Sequence, residues 1–121
     1  MEAANIASRE PEVIAPGRFL GTTNPRQLRT LDILLNCEVS REQLDRVAGA
    51  SNSPETVRQL RALGLPKGTC LLCEMRRSVD RDGRDVRHGV YSLTAEGRRR
   101  VREWIRTEGR SIADMLAAGR A

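Results

Sequence analysis

The chain has 121 residues, which is room for one domain and a tail. Its formal net charge of +5 predicts a polyanionic partner, and the 16 acidic residues interspersed among 21 basic ones exclude a purely electrostatic binder. Phe19, Tyr91 and Trp104 are the only aromatic residues, too few for the stacking platforms of a single-strand or RNA-recognition sheet.

The sequence carries no sign of membrane insertion or export. No apolar run approaches the length of a membrane span, and the N-terminus lacks the basic start and apolar centre of a secretion signal. Three cysteines, an odd number, fit a reduced compartment better than a disulfide framework. We therefore predict a cytoplasmic protein with no membrane contact.

The N-terminal residues 1–24 are expected to form an arm outside the main domain. They lack apolar periodicity and contain several proline and glycine residues, so we predict a disordered or loosely docked segment. Val13-Ile14 and Phe19-Leu20 are its predicted docking points, because they are its adjacent apolar pairs.

Three short helices are predicted next, the first over about 25–37, starting at Pro25. Ser40 and Gln43 have the spacing of a capping box that opens the second helix, and Gly49 ends it. Ser53 before Pro54 predicts the start of the third, which ends at Gly64. The apolar positions at helical spacing are Leu28, Leu31, Leu34, Leu35, Leu44, Val47, Ala48, Val57, Leu60 and Leu63.

A β-hairpin and a C-terminal helical part follow. Strands are predicted over 70–79 and 86–93, with Asp82-Gly83 at the centre of a tight two-residue turn. Thr94 caps the next helix, which ends near Gly109, and residues 109–121 form a helical tail. Residues 25–108 then make an α+β, mostly α domain: a winged helix-turn-helix with a three-helix core, a β-hairpin wing and a C-terminal helix.

The third helix is predicted to read DNA with the face opposite its apolar residues. Arginine forks onto guanine, asparagine and glutamine pair with adenine, and glutamate accepts from cytosine, although an acid in a first helical turn also offsets the helix dipole. Hydroxyl side chains near a helix N-terminus suit phosphates. The predicted DNA-binding residues here are Ser51, Asn52, Ser53, Glu55, Thr56, Arg58 and Gln59.

The hairpin supplies a second predicted DNA contact. Basic wings lie beside phosphates or enter a minor groove, whereas the alternative is an ordinary solvated hairpin. The predicted DNA-binding residues on it are Arg76, Arg77, Arg81, Arg84 and Arg87, partly offset by Asp80, Asp82 and Asp85. Residues 98–100, three consecutive arginines near a helix N-terminus, oppose the helix dipole, so a phosphate or an acidic partner is expected there.

Two segments carry a resemblance to a known family. ASNSPETVRQLRALGL and DRDGRDVRHGVYSLTAEGRRR resemble the short winged helix-turn-helix proteins carried by phages and prophages. The resemblance covers roughly residues 26–100 and includes Ala50, Ser51, Asn52, Pro54, Val57, Leu60, Arg61 and Gly64, then residues 80–84, Gly89, Val90, Tyr91, Leu93 and Thr94. It implies DNA binding by a small regulator.

Enzymatic and metal-binding functions are not expected. Cys70 and Cys73 have the spacing of a metal half-site, to which Cys37 and His88 would add, but positions three apart on a strand point to opposite faces. The sequence shows no nucleophile–base pair and no phosphate-binding glycine loop. We predict no catalytic residue, no metal site and no cofactor.

Two functions remain open. The first is sequence-specific binding of double-stranded DNA by a small (pro)phage or bacterial transcriptional regulator. The alternative is a winged helix that docks on protein, such as a phage-encoded inhibitor or adaptor of a host protein complex. The apolar residues of 98–118 also predict a homodimer contact there, with packing of Trp104 on Leu28 and Leu31 as the alternative.

Overall fold

The computed structural model describes residues 17–49 and 52–119, which form an α+β fold. In chain order the elements are α1 (Pro25–Asn36), β1 (Val39–Ser40), α2 (Arg41–Ala48), α3 (Ser53–Ala62), β2 (Leu71–Val79), β3 (Asp85–Leu93), α4 (Ala95–Glu108) and α5 (Ile112–Ala118). About half of the chain is helical. No helix within the described ranges is long and apolar enough to cross a bilayer. Val13 and Ile14 lie outside those ranges.

The three strands form one antiparallel sheet in the order β1-β3-β2. β2 and β3 pair from Leu71 opposite Leu93 to Val79 opposite Asp85, which confirms the two predicted strands to within one residue. β1 was not predicted. Val39 pairs with Tyr91, so this two-residue strand fixes the start of α2 against the sheet.

The hairpin turn differs from the predicted two-residue turn. The N–H of Asp80 donates to Arg84 O at 2.9 Å, and the N–H of Gly83 donates to Asp80 O at 3.0 Å. Residues 81–83 therefore form a three-residue loop, with Gly83 in the left-handed region at φ 78°. The Asp80 carboxylate closes it by accepting from the N–H groups of Asp82 at 2.9 Å and Arg84 at 2.8 Å.

The helices share one apolar core with the sheet. α1 supplies the fully buried Leu31 and Leu34, and α5 packs on α1 through Ile112 and Met115. Most residues of the predicted apolar faces are buried. Leu35 and Leu63 are partly buried, and Val47 is 37 % exposed.

Residues 17–24 pack on the domain, and Phe19, of the predicted docking point Phe19-Leu20, is part of its core. Phe19 is 2 % exposed, and its ring meets that of Trp104 edge-on, with centroids 5.3 Å apart. The N–H of Leu20 donates to Leu63 O at 2.8 Å. Trp104 thus packs on Phe19, and Val101, Trp104, Ile112 and Met115 are buried within one chain. The spare apolar surface that predicted a homodimer through residues 98–118 is absent from the described part of that segment.

Candidate nucleic-acid interface

The start of α3 is fixed by α2. Asn52 is the N-cap, since its side-chain oxygen accepts from the N–H of Glu55 at 3.3 Å. Ser53, which the sequence placed at the cap, is instead the first helical residue. Its N–H donates to Asp45 Oδ1 at 3.1 Å and its hydroxyl donates to the same oxygen. This contact ties the beginning of α3 to the middle of α2.

Two of the predicted phosphate contacts are therefore misplaced. Ser53 and Thr56 are both buried, at 1 % and 6 % exposure, and they face the interior of the domain. The serine hydroxyl is already used by Asp45, so neither side chain presents its oxygen to a ligand outside. Ser51, the third predicted hydroxyl, lies outside the described residues.

The outer side of α3 carries Glu55, Arg58 and Gln59, which we call the α3 polar face. Arg58 donates to both carboxylate oxygens of Glu55, from Nε to Oε1 at 2.8 Å and from Nη2 to Oε2 at 2.5 Å. Gln59 Nε2 donates to Oε2 of the same carboxylate at 3.1 Å. These hydrogen bonds, Arg58's above all, lower the pKa of Glu55.

A hydrogen-bond relay connects this face to α1. Gln59 Oε1 accepts from Gln27 Nε2 at 2.9 Å, and Gln27 Oε1 accepts from the Thr22 hydroxyl at 2.5 Å. Both ends of the Gln59 amide are thus engaged inside the chain. Pairing of Gln59 with an adenine requires that these contacts be exchanged.

The two arginines of β2 are paired with acids of the same chain. Arg76 donates to two carboxylates, those of Glu38 and Glu74, with Nη2 at 2.9 Å and 2.7 Å from their oxygens. These hydrogen bonds raise the pKa of Arg76 and lower that of Glu38. Arg77 pairs with Asp85. Both arginines therefore already form ion pairs with acids of their own chain.

The arginines of the turn and of β3 are different. Arg81, Arg84 and Arg87, which we call the hairpin tip, are exposed and form no ion pair with another described residue. Arg87 lies directly opposite Arg77 across the strands, and the Asp85 carboxylate that pairs with Arg77 supplies a counter-charge to these like charges.

α3 and the hairpin are joined by one arginine of the helix. Arg61 donates to Leu71 O from Nε at 3.1 Å and from Nη2 at 3.0 Å. This forked contact holds the last turn of α3 against the first residue of β2. The α3 polar face and the hairpin therefore belong to one body, although no described contact connects Arg58 to the hairpin tip.

Two of the three arginines at the start of α4 form ion pairs with an acid of the same helix. Glu96 accepts from Arg99 Nε at 2.9 Å and from Arg100 Nε at 2.7 Å, which lowers its pKa to about 2. Arg100 also donates to Gly64 O at 3.1 Å. Glu96 thus offsets part of the positive charge at this helix N-terminus.

Three cysteines and one open groove lie within the described residues. Cys70 is buried, Cys37 and Cys73 are exposed, and the described residues contain no group of three metal-ligating side chains. A groove of about 780 Å³ is an open space between α2 and the hairpin. Among its lining residues are Arg41, Asp45, Cys73, Met75 and Tyr91.

No family model, curated protein or solved structure matches this chain. Its candidate interface therefore depends on the geometry alone. Sequence patterns missed Gln27, Glu38 and Glu96, each of which engages a residue of the predicted surface. The contact between Glu96 and Arg100 had a detectable signal in its four-residue helical spacing, whereas Glu38 and Gln27 meet their partners only through the tertiary fold.

Proposed function

We propose that this chain is a winged helix-turn-helix protein that binds double-stranded DNA in a sequence-specific manner, as a small regulator of transcription. The order α1-β1-α2-α3-β2-β3, with β1 paired to β3, supports this reading. In such a domain α3 enters the major groove and the hairpin lies along the adjacent backbone. A (pro)phage or bacterial origin is part of the same proposal and rests on the resemblance described above.

The observation that carries the proposal is the hairpin tip. Arg81, Arg84 and Arg87 are exposed cations that no described acid neutralises. Arginine binds phosphate with two parallel hydrogen bonds, and each neutralised phosphate releases condensed counterions. Phosphates repeat along each DNA strand, so several unpaired arginines on one hairpin suit a nucleic-acid backbone.

α3 then supplies the sequence preference. The Arg58 side chain is 69 % exposed, and Nη1 makes no hydrogen bond to a described residue. Arg58 is therefore oriented by Glu55 and keeps a free donor for a hydrogen bond to guanine. Glu55 also repels phosphates, so it reduces attraction to DNA of any sequence and makes affinity depend on base contacts.

The test is selection from a pool of randomised duplexes by the full-length chain, repeated at several salt concentrations. We expect enrichment of a short motif and an affinity that falls steeply as salt increases. Equal recovery of all sequences at low salt would limit the function to non-specific binding. Failure to retain any duplex at low salt would contradict the proposal.

Protein docking is the second candidate, favoured by a separate observation. Met75 and Val79 are 58 % and 69 % exposed, next to arginines whose charges are already paired within the chain. Such a mixed surface suits an acidic and apolar partner, such as a host protein complex, better than it suits a phosphate backbone. A chain that retains no duplex but loses a protein partner on Val79→Ser substitution would favour this function.

A further inference from the structure

β2 is an edge strand whose outer side has no described partner. β2 pairs with β3 alone among the described strands. The N–H of Thr94 donates to Cys70 O, and the N–H of Asp80 donates to Arg84 O. Because hydrogen-bonded positions alternate along an antiparallel pair, the even-numbered residues of β2 bond to β3. The backbone groups of its odd-numbered residues therefore point outward.

One end of this edge is already closed. The N–H of Leu71 donates to Pro66 O at 3.2 Å, and its carbonyl accepts the forked contact from Arg61. The open part of the edge accordingly starts at Cys73 and continues through Met75 and Arg77 to Val79. Exposed edges of this length favour pairing with another strand.

We propose that a second copy of this chain pairs its β2 antiparallel to this edge, with the two-fold axis at Met75. In this register Glu74 faces the partner's Arg76, and the same contact is repeated on the other side of the axis. These residues occupy non-hydrogen-bonded positions, where opposing side chains come closest. Each dimer therefore gains two cross-strand contacts of opposite charge.

The charges select this register over its neighbours. Moving the axis by one residue to Glu74 places Glu74 opposite the partner's Glu74, and moving it to Arg76 places the two Arg76 side chains opposite each other. Like charges directly opposite are destabilising. Glu74 also has capacity for a second guanidinium, because Arg76 contacts only its Oε1 and is shared with Glu38.

The same register brings together the exposed apolar residue at the centre of the open edge. Met75 lies opposite the partner's Met75 on one face of the joined sheet, and it is otherwise 58 % exposed. Charge and the burial of Met75 thus point to the same alignment of two copies.

A cross-linking experiment tests the register directly. In full-length chains with Cys37→Ser and Cys73→Ser, Met75→Cys places two cysteines opposite each other at about 5.5 Å between Cα atoms, within disulfide range. We expect a covalent dimer under mild oxidation. Val79→Cys is the control, because its copies lie about 27 Å apart in this register. Equal cross-linking of both variants, or none at Met75→Cys, would overturn the proposal.

Sedimentation of the full-length chain tests the charge pairing. We expect a dimer at about 50 µM, with Glu74→Arg weakening dimerisation about tenfold or more. Glu42→Arg makes the same charge change on the exposed side of α2 and should leave the dimer intact. A native chain that sediments as a monomer at this concentration would overturn the proposal. The edge would then be open to another segment or protein. Equal effects of the two variants would also overturn the proposal.

Discussion

The α3 polar face and the hairpin tip are both exposed, and they differ in how far the chain satisfies their side chains. On α3, Arg58 and Gln59 both donate to Glu55. On the hairpin tip, Arg84 forms no ion pair with any described residue, and the nearby Asp80 carboxylate is used by backbone N–H groups. Arginine and acidic side chains thus form an ion pair on the α3 polar face, whereas the arginines of the hairpin tip form none with the described residues.

If the chain binds DNA as proposed, this difference gives two kinds of contact. The hairpin tip would accept phosphates without losing an internal interaction, so its contribution would be general and sensitive to salt. α3 would share or exchange the contacts of Glu55 before it reads a base, so its contribution would depend on sequence.

The largest expected effect is on the stability of α3. Leu60 is fully buried, so Leu60→Ala should lower the free energy of unfolding by about 2–5 kcal/mol. Val79→Ala on the exposed hairpin should change it by less than about 0.5 kcal/mol. Urea unfolding of both variants measures the difference. Equal small losses would mean that α3 does not pack as described.

Two glycines distinguish the end of α3 from the hairpin turn. Gly64 has φ 121°, and an added Cβ would lie 2.2 Å from Arg18 O, so Gly64→Ala should cost about 2–4 kcal/mol. Gly83 has φ 78° with nothing within 4 Å, so Gly83→Ala should cost only about 1–2 kcal/mol of backbone strain. Thermal unfolding compares them. The reverse order would contradict the packing of residues 17–24.

Glu55→Gln tests the coupling on α3. Release of Arg58 and loss of a negative charge should raise affinity for unselected duplexes by about 0.5–1 kcal/mol, and selectivity should fall. Asp82→Asn makes the same charge change on the exposed hairpin loop and should raise affinity without loss of selectivity. Competition binding measures both quantities. Equal selectivity in the two variants would show that Glu55 acts by charge alone.

The smallest effect concerns the titration of Glu55. Arg58 lowers the pKa of this carboxyl below its ordinary value of 4.5. Its contribution to stability is therefore present above pH 4.5 and is lost as the pH falls through the lowered pKa. Carbon NMR of the carboxyl should show a depressed midpoint that returns toward 4.5 in Arg58→Ala. An unchanged midpoint in the variant would exclude the ion pair in solution.

Local signals in the sequence predicted most of the elements. The capping box of Ser40 and Gln43 is present, with hydrogen bonds of 3.0 Å and 3.2 Å, and Gly49 ends α2 in the left-handed region. These features depend on residues within one turn of each other. For the same reason the apolar faces of α1 and α3 could be located from their spacing.

Contacts across the fold could not be predicted in the same way. Ser53 has the pattern of a cap, yet Asp45 of α2 takes its hydroxyl and leaves the cap to Asn52. Phe19 was predicted as a docking point of the N-terminal segment, but its partner Trp104, on a helix distant in sequence, was not predicted. The same holds for the candidate site. Helical spacing placed Arg58 on the outer face of α3, but it gave no sign of the hydrogen bond from Gln27 to Gln59.

The most direct measurement is the salt dependence of duplex binding by the native chain, Arg58→Ala and Arg84→Ala, on a selected sequence and on a scrambled one. Arg58→Ala should lose about 1–3 kcal/mol on the selected duplex alone. Arg84→Ala should weaken both duplexes and reduce the slope of log affinity against log salt by about 1. Uniform loss in both variants, on both duplexes, would contradict the division of roles between α3 and the hairpin.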